Sequence, residues 1–281
     1  MPEIILIADS GATKTAWCLI SSRKKTSFYT GGISPYHMTQ EQIADLILKE
    51  FPTSILKKEI DHIYYYGTGC YTKPKADIVK KALLSALIVG KAHVTHDLLG
   101  AARAVCGNEK GIACILGTGS NSCLYSGKTI LHNSPGLGYV LGDEGSGAYL
   151  GKKVIQYYLY QTFDPELMKA FEKEFQTNKA EILHKVYKKP LANRYLAGFT
   201  TFLSKNRGHY MIENILEDGL RDFFEYHLVH YKRTIDTPIH FVGSIAYVFK
   251  DKIDELCSDY GMKRGVILKQ PMDGLIKYHN K

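Results

Sequence analysis

The sequence lacks any hydrophobic run long enough to cross a membrane, because no segment approaches the ~18 consecutive apolar residues of a spanning helix. Its first residues also lack the basic stretch that opens a secretory signal peptide, and an acidic residue comes early, at Glu3. We therefore expect residues 3–9 to form a first strand. We also expect a cytoplasmic protein with no membrane partner.

Closely spaced cysteines are missing as well. The 6 cysteines are scattered, with no C-x-x-C pair and no Cys/His cluster, so neither a zinc site nor a disulfide framework is indicated. Buried, reduced thiols are the expected state. His227 and His230 have the H-x-x-H spacing of a metal site in a helical stretch, but no third ligand lies near them, so we expect no metal there.

Acidic residues are in deficit, with 28 Asp and Glu against 36 Lys and Arg, which gives a net charge of +8. This balance favours anionic partners. The basic residues are dispersed, however, and no group of them is interleaved with aromatics as in a nucleic-acid-binding module, so we expect no nucleic acid partner. Long-range attraction of a polyphosphate ligand fits this charge, and a generic solvated surface fits it equally well.

The chain does have the length of a two-domain globular protein, since 281 residues are long for one compact domain. Its first hundred residues predict three antiparallel strands followed by alternating helices and parallel strands. The predicted strands are 3–9, 14–21, 26–30, 61–66 and 93–96, and the predicted helices are 39–51, 74–87 and one that begins at Asp97. Thr39 is the expected N-cap of the first helix, with Gln42 at the capping-box position.

The same pattern begins again near Gly107. The predicted elements are strands 111–116, 122–125 and 129–132, a mainly helical stretch to Tyr231, strands 239–242 and 266–268, and helices from Ser244 to about Tyr260 and over 272–279. We infer an internal duplication, with an N-terminal domain over 1–106 and a C-terminal domain over 107–269. The last segment, 270–281, is expected to return to the first domain.

Two glycine-rich turns occupy equivalent positions in the two halves. Asp9-Ser10-Gly11-Ala12-Thr13-Lys14-Thr15 closes the first hairpin, and Gly117-Thr118-Gly119-Ser120-Asn121 closes its counterpart. Small residues let backbone N–H groups approach a phosphate, and Lys14 supplies a mobile positive charge. Asp9 is suited to holding Mg²⁺ through waters. One such turn is as readily an ordinary hairpin, but two at matching positions predict a clamp for a polyphosphate.

Asp97, in Thr95-His96-Asp97-Leu98-Leu99-Gly100, ends a predicted strand and begins a helix. A lone Asp at such a place is commonly only an N-cap. The carboxyl end of a parallel strand is also where ligands bind, and a carboxylate there can accept a hydroxyl proton during phosphoryl transfer. Both roles are compatible.

Two further segments are candidates for a ligand site. Residues 136–147 are too rich in glycine for a core element, and we expect a loop that offers Asp143 and Glu144 to hydroxyls or metal. A flexible linker is the alternative, against which the embedded Tyr-Val-Leu argues. Gly243-Ser244, between a strand and a helix, would let a nucleoside lie against the backbone.

Taken in order, these motifs resemble those of the actin-like sugar-kinase superfamily. The match is best to its N-acetylglucosamine kinase branch, within the BadF/BadG/BcrA/BcrD ATPase family. It extends from residue 9 to about 246, and G-T-G-S-N with G-D-E-G-S are its specific parts. The resemblance implies two duplicated α/β domains of actin-like (ribonuclease H-like) fold with a nucleotide cleft between them. It also implies an ATP-dependent kinase that acts on an amino sugar, with N-acetylglucosamine as the first candidate.

The resemblance also implies roles for individual residues. Asp97 would be the general base toward the sugar 6-hydroxyl, and Asp9 would hold Mg²⁺. The residues implied to bind ATP are Gly11, Thr13, Lys14, Thr15, Gly117, Thr118, Gly119, Gly243 and Ser244. The residues implied to bind the sugar are Ser34, Asp97, Thr118, Asn121, Ser134, Gly136 and Asp143. Ser34 stands where family members often have an Asn that meets the sugar, so the resemblance supports ATP use more firmly than the identity of the sugar.

Two other functions stay open from the sequence. Activators of 2-hydroxyacyl-CoA dehydratases belong to the same ATPase family and need cysteine ligands for an iron–sulfur cluster. This chain has no closely spaced cysteines, but a homodimer could bridge one cluster with two from each subunit. A non-catalytic sensor of ATP or sugar is the second alternative, and it would leave Asp97 idle. A homodimer also stays open as a partner of the kinase.

Overall fold

The computed structural model describes residues 3–11, 13–22, 24–234 and 236–280. Ala12, in the first glycine-rich turn, lies outside the described residues, as do Met1, at the start of the predicted N-terminal domain, and Lys281, at the end of the predicted last segment. The chain forms two compact units, the first of Met1–Glu109, Gly127–Thr129 and Pro271–Lys281, and the second of Lys110–Ser126 and Ile130–Gln270. The assignment of domains to 1–106 and 107–269 stays a prediction.

The first unit contains a five-stranded mixed sheet in the order β3-β2-β1-β4-β5. Its strands are β1 (Ile4–Ser10), β2 (Lys14–Ser21), β3 (Lys24–Gly31), β4 (Ile60–Gly67) and β5 (Val89–His96). β1, β2 and β3 pair antiparallel, whereas β4 pairs parallel with both β1 and β5. The carboxyl ends of β1, β4 and β5 therefore lie at one edge of the sheet.

Helices cover both faces of this sheet. They are α1 (Gln40–Glu50), α2 (Thr53–Leu56), α3 (Lys73–Ala86), α4 (Asp97–Cys106) and α14 (Met272–His279). The capping box of α1 is present as predicted, with Thr39 and Gln42 each accepting a hydrogen bond from the other's backbone N–H. α14 packs on α4 and on β1, and its Gly274 permits the close approach, because an ideal Cβ there would lie 2.1 Å from the carbonyl oxygen of Ala104.

Alternation along β1 divides the core of this unit into two layers. Leu6 and Ala8 belong to the cluster that contains Trp17 and the buried residues of α1 and α3, whereas Ile5 and Ile7 pack with Leu275 and neighbours on α14. Successive side chains of a strand point to opposite faces, so both faces of β1 are buried. This burial fixes the position of Asp9, the next residue but one after Ile7.

The second unit repeats the sheet. Its strands are β6 (Gly111–Leu116), β7 (Ser120–Tyr125), β8 (Ile130–Ser134), β9 (Ile239–Val242) and β10 (Arg264–Leu268). Their order, β8-β7-β6-β9-β10, matches that of the first unit strand for strand, and again the first three are antiparallel and the last two join in parallel. The predicted α/β class with a duplicated sheet is confirmed.

The helices of the second unit include one interruption that the sequence did not predict. They are α5 (Gly138–Leu141), α6 (Gly147–Leu159), α7 (Pro165–Phe175), α8 (Lys179–Lys188), α9 (Ala192–Gly198), α10 (Thr200–Lys205), α11 (Tyr210–Phe223), α12 (Ser244–Val248) and α13 (Lys250–Asp259). The helix predicted from Ser244 to about Tyr260 is split at Phe249, whose backbone leaves the helical region while its ring is buried. The loop predicted over 136–147 holds the short helix α5. Within the described ranges, no helix combines the length and apolar character needed to cross a membrane.

Candidate functional site

The first unit brings Asp9 and Asp97 together at one sheet edge. Asp9 is near the end of β1, and Asp97 directly follows β5. Between these strands, Thr68 follows β4, donates its backbone N–H to the Ser10 carbonyl oxygen at 2.9 Å, and bonds through its side chain to the Asp97 carboxylate. The fold therefore places two carboxylates and one hydroxyl at the edge where open α/β sheets bind ligands.

Burial dominates the electrostatics of this pair. Desolvation raises the pKa of Asp9 to about 7, and the neighbouring charge of Asp97 raises it as well. Desolvation also raises the pKa of Asp97, against which its hydrogen bonds with the Leu98 N–H, at 2.8 Å, and with Thr68 stabilise the ionised form. Two like charges in one buried place favour either a proton or a bound cation between them.

The interpretation of Asp97 as an N-cap is wrong. The N-cap of α4 is His96, whose Nδ1 accepts from the Leu99 N–H at 3.4 Å, and Asp97 is the first residue of the helix proper. Since His96 caps the helix, the Asp97 carboxylate serves the helix start only by accepting from the Leu98 N–H, which an amide oxygen could do as well. Its burial beside Asp9 is then better explained by chemistry than by helix formation.

The raised pKa of Asp9 predicts how the metal-free protein responds to pH. A carboxyl group whose folded pKa lies above its ordinary value of 3.8 favours folding below that value, and this contribution is lost as the pH rises through about 7. We expect stability in a metal chelator to fall between about pH 4 and pH 7, and Asp9→Asn to weaken that fall. Urea unfolding at several pH values measures it. Asp61→Asn, at an exposed carboxylate of β4, is the matched control. If Asp9→Asn keeps the pH dependence of the unaltered protein, that dependence does not come from a raised pKa of Asp9.

The first glycine-rich turn is a closed hairpin in which Gly11 donates its N–H to the Lys14 carbonyl oxygen at 3.0 Å. Thr13 and Lys14 are exposed, and the Lys14 ammonium lies 3.4 Å from the centre of the Tyr29 ring. Thr15 is buried, and its hydroxyl contacts the Ser10 hydroxyl at 2.7 Å and donates to the Gly31 carbonyl oxygen at 3.2 Å. The Thr15 hydroxyl is thus already bonded within the fold, whereas Thr13 and Lys14 face solvent.

Ser34, which follows β3, is also buried, and its carbonyl oxygen accepts from the backbone N–H groups of His37 and Met38, both at 3.0 Å. The backbone of Ser34 is therefore fixed by a tight turn. Its role toward a sugar stays a prediction.

The second glycine-rich turn is held by the start of α6. The N–H groups of Gly147 and Ala148 donate to the carbonyl oxygens of Gly117 and Thr118, at 2.8 and 3.0 Å. Gly117 has no atom within 4 Å of an ideal Cβ, so its surface is open. An ideal Cβ at Gly119 would lie 2.9 Å from the Asp143 carboxylate. The turn therefore presents one open glycine and one glycine that is covered by Asp143.

Gly243 packs against this same turn. It has φ 133°, and an ideal Cβ there would lie 2.1 Å from the Leu116 carbonyl oxygen and 3.0 Å from the Gly117 nitrogen. Only glycine tolerates both constraints. Ser244, the first residue of α12, is exposed next to it. The predicted phosphate and adenosine motifs of the second unit are consequently neighbours in space.

Asp143 lies in the left-handed backbone region at φ 55°, and its carboxylate accepts from the Ser120 N–H. Burial raises the pKa of Asp143, Glu144 raises it further, and Lys152 lowers it. The Ser120 side-chain oxygen is buried beside this contact with no hydrogen-bond partner among the described residues. A buried hydroxyl without a partner is costly and calls for an explanation, such as a ligand.

Three residues predicted to bind the sugar lie close together at the second glycine-rich turn. The Asn121 amide nitrogen lies 3.4 Å from an ideal Cβ at Gly136, and its amide oxygen accepts from Asn133 at 2.8 Å and from the Ser122 N–H at 2.9 Å. Ser134, at the end of β8, is buried and pairs with Ser122 of β7. Asn121, Ser134 and Gly136 therefore share one place in the second unit.

Two residues near these groups were missed from the sequence. Thr68 belongs to Gly67-Thr68-Gly69-Cys70, which resembles a broken dinucleotide loop, and its likeness to Gly117-Thr118-Gly119-Ser120 was the available signal. His227 bonds to Glu144. Its H-x-x-H spacing gave no hint of that partner, because the contact joins residues 83 positions apart.

Solved structures place the chain in a class and then in a family. The chain matches a "Putative N-acetylglucosamine Kinase" from Porphyromonas gingivalis with 41% identity and a TM-score of 0.93, over 98% of each chain. A second "Putative N-acetylglucosamine Kinase", from Chromobacterium violaceum, has 17% identity and a TM-score of 0.74 over 98% of each chain. A non-polymerising mutant of MamK bound to AMPPNP has 12% identity and a TM-score of 0.52, over 97% of this chain and 96% of that one.

The fold is thus that of the actin-like ATPases. At 41% identity over nearly the whole of both chains, the protein belongs to the N-acetylglucosamine kinase-like family. The resemblance drawn from the sequence motifs is confirmed. No protein-family model and no curated protein matches the chain.

Proposed function

We propose that the protein is an ATP-dependent kinase that transfers the γ-phosphate to the 6-hydroxyl of an amino sugar, with N-acetylglucosamine as the first candidate. Family membership supports the reaction class. The observation that carries the proposal is the buried Asp97 carboxylate, which adjoins Asp9 at the carboxyl edge of the first sheet and is not the N-cap of its helix.

Asp97 is the proposed general base. A base must be ionised before it accepts a proton, and the hydrogen bonds from Leu98 and Thr68 stabilise that state against the cost of burial. The raised pKa brings Asp97 closer to neutrality, which strengthens it as a proton acceptor. Asp97 would take the proton of the 6-hydroxyl as that oxygen attacks phosphorus.

ATP is proposed to bind at the glycine-rich turns. The residues assigned to it are Gly11, Thr13, Lys14, Thr15, Gly117, Thr118, Gly119, Gly243 and Ser244. Two observations fit a phosphate at the second turn, because no atom blocks approach to the Cα of Gly117 and Ser120 has a buried hydroxyl without a partner among the described residues. Thr15 would support the shape of the turn beside ATP, because its hydroxyl donates to the Gly31 carbonyl oxygen and its backbone pairs with Ser10 and Thr30 in the sheet.

Mg²⁺ is proposed to bind at Asp9. In kinases Mg²⁺ is typically held by one or two carboxylates, and waters and substrate phosphates complete its shell. The buried Asp9–Asp97 pair fits a cation, because two adjacent carboxylates are otherwise forced to share a proton. When bound, Mg²⁺ supplies positive charge that offsets the charge of the transferred phosphate.

The residues proposed to contact the sugar are Ser34, Asp97, Thr118, Asn121, Ser134, Gly136 and Asp143. Asn121, Ser134 and Gly136 lie together, and Asp143 adjoins the neighbouring turn. An amide, a hydroxyl and a carboxylate supply the donors and acceptors that a sugar requires.

A panel of acceptors tests the proposal. ADP release with Mg·ATP should be fast with N-acetylglucosamine, slower with other N-acetylhexosamines and glucosamine, and near background with plain hexoses or no sugar. ATP hydrolysis that is independent of every sugar would favour an ATPase of another kind. No turnover despite binding of ATP or a sugar would favour a sensor.

A further inference from the structure

A π-helical turn extends α11 and reaches the groups proposed to bind the sugar. It comprises Phe224–Leu228 and is followed by a 3₁₀ helix, Val229–Thr234. π-helical turns within α-helices occur frequently at functional sites. The Tyr231 hydroxyl accepts from the Ser134 N–H at 2.9 Å, and the Ser134 hydroxyl donates to the Tyr226 carbonyl oxygen at 3.4 Å. The segment thus already supports one proposed sugar residue.

His227, on the π-helical turn, supports a second group. Its Nε2 lies 3.1 Å from a carboxylate oxygen of Glu144, and its ring stacks on Phe223 at a centroid distance of 4.7 Å. The side chain of His227 is 3% exposed, and that of Glu144 is 15% exposed. Burial lowers the pKa of His227, so the imidazole is neutral at pH 7 and its Nε2–H donates to the carboxylate.

The buried His227 side chain is a poor choice for stabilising the fold. The other ring nitrogen of His227, Nδ1, is buried with no hydrogen-bond partner among the described residues. A buried polar atom without a partner costs stability, and a phenyl ring would keep the stacking on Phe223 without that cost. Orientation of Glu144 explains the histidine better than packing does.

The Glu144 carboxylate lies beside Asp143, where it could accept a hydrogen bond from a bound sugar. It directly follows Asp143 and raises the pKa of that carboxyl group. Its two carboxylate oxygens lie 3.3 and 3.5 Å from an ideal Cβ at Gly142, over the loop that carries Asp143. The carboxylate retains some solvent access, whereas the histidine behind it has almost none.

We propose that Glu144 is a further hydroxyl-binding residue of the sugar site and that His227 is its positioning residue. The inference rests on the proposed function and narrows its substrate class. Two adjacent carboxylates, Asp143 and Glu144, accept hydrogen bonds from hydroxyl and amide groups and repel anions. The acceptor is therefore a polyhydroxyl sugar without an acidic group.

Three variants of the full chain test this inference. Glu144→Gln removes the charge, His227→Phe keeps the stacked ring but removes the donor, and His227→Gln restores an N–H near the same place. We expect the first two to weaken N-acetylglucosamine binding in calorimetry and to raise its KM by at least about tenfold, with the KM for ATP within about twofold. His227→Gln should recover part of the loss. His227→Phe should stay folded but unfold at a lower temperature, because the part-buried Glu144 carboxylate loses its donor.

His209→Phe is the matched control. His209 is the N-cap of α11, and its Nε2 lies 2.7 Å from the Asp164 carboxylate, so this histidine also pairs with an acidic residue. It should lower stability and leave sugar affinity unchanged. Folded Glu144→Gln and His227→Phe with unaltered sugar affinity would overturn the inference, as would equal losses for ATP and sugar. An unaltered protein that binds the sugar but does not phosphorylate it would refute the proposed function alone. An unaltered protein that does not bind the sugar would refute both the inference and the proposed function.

Discussion

Asp97→Asn should reduce kcat with N-acetylglucosamine by at least about a hundredfold, because loss of a general base typically costs ~10²–10⁴ in rate. The amide cannot accept the hydroxyl proton, yet its oxygen can still accept from the Leu98 N–H. The helix also keeps its cap, which is His96. We therefore expect the same unfolding temperature or a higher one, since the change removes a buried charge. Retained ATP binding should accompany the loss of turnover, and steady-state kinetics with thermal unfolding measures all three.

Asp61→Asn provides the control for this variant. Asp61 lies in β4 of the same unit, where its carboxylate is exposed and accepts from the Ile4 N–H at 2.7 Å. Its replacement should leave kcat unchanged. If Asp97→Asn turns over within a few-fold of the unaltered protein, or if it unfolds, Asp97 is structural, and Asp143 becomes the next candidate for the base.

Gly117→Val should abolish the stabilisation that Mg·ATP confers. A ligand bound only by the native state at 100 times its Kd adds about 2.7 kcal/mol to stability, which thermal unfolding detects readily. Because nothing lies within 4 Å of an ideal Cβ at Gly117, the fold should accept the side chain while phosphate is kept from the backbone. Gly119 would be a poorer choice, since a side chain there would first displace Asp143.

Gly198→Val is the matched control, because Gly198 of α9 also has no atom within 4 Å of an ideal Cβ. It should retain the full response to ATP. Gly117→Ala adds a smaller obstruction and should weaken the response in proportion. An unaltered response in folded Gly117→Val would remove the second glycine-rich turn from the ATP site.

The duplicated sheet could be predicted from the sequence because its signals are local. Alternating strands, a turn between them and a capping box such as Thr39 with Gln42 involve residues only a few positions apart. The carboxyl edge that carries Asp9 and Asp97 follows from strand order once the β-α units are recognised.

The contacts that shape the site could not be predicted, because they join distant positions. Glu144 meets His227, and Leu116 meets Gly243, through tertiary packing that periodicity does not encode. The capping role of Asp97 was predicted wrongly for a local reason, since His96 is an uncommon N-cap and Asp a common one. The break at Phe249 is a further case in which burial of a ring overrides helical periodicity.

The central claim is transfer of phosphate to a sugar 6-hydroxyl, and identification of the product tests it most directly. The protein should be incubated with Mg·ATP and N-acetylglucosamine, and the product analysed by ³¹P and ¹H NMR. We expect one new phosphate signal coupled to the protons on C6, formed together with an equal amount of ADP, and no product from the 6-deoxy analogue. Phosphate at another carbon, or ADP release that persists with the 6-deoxy sugar, would contradict the account.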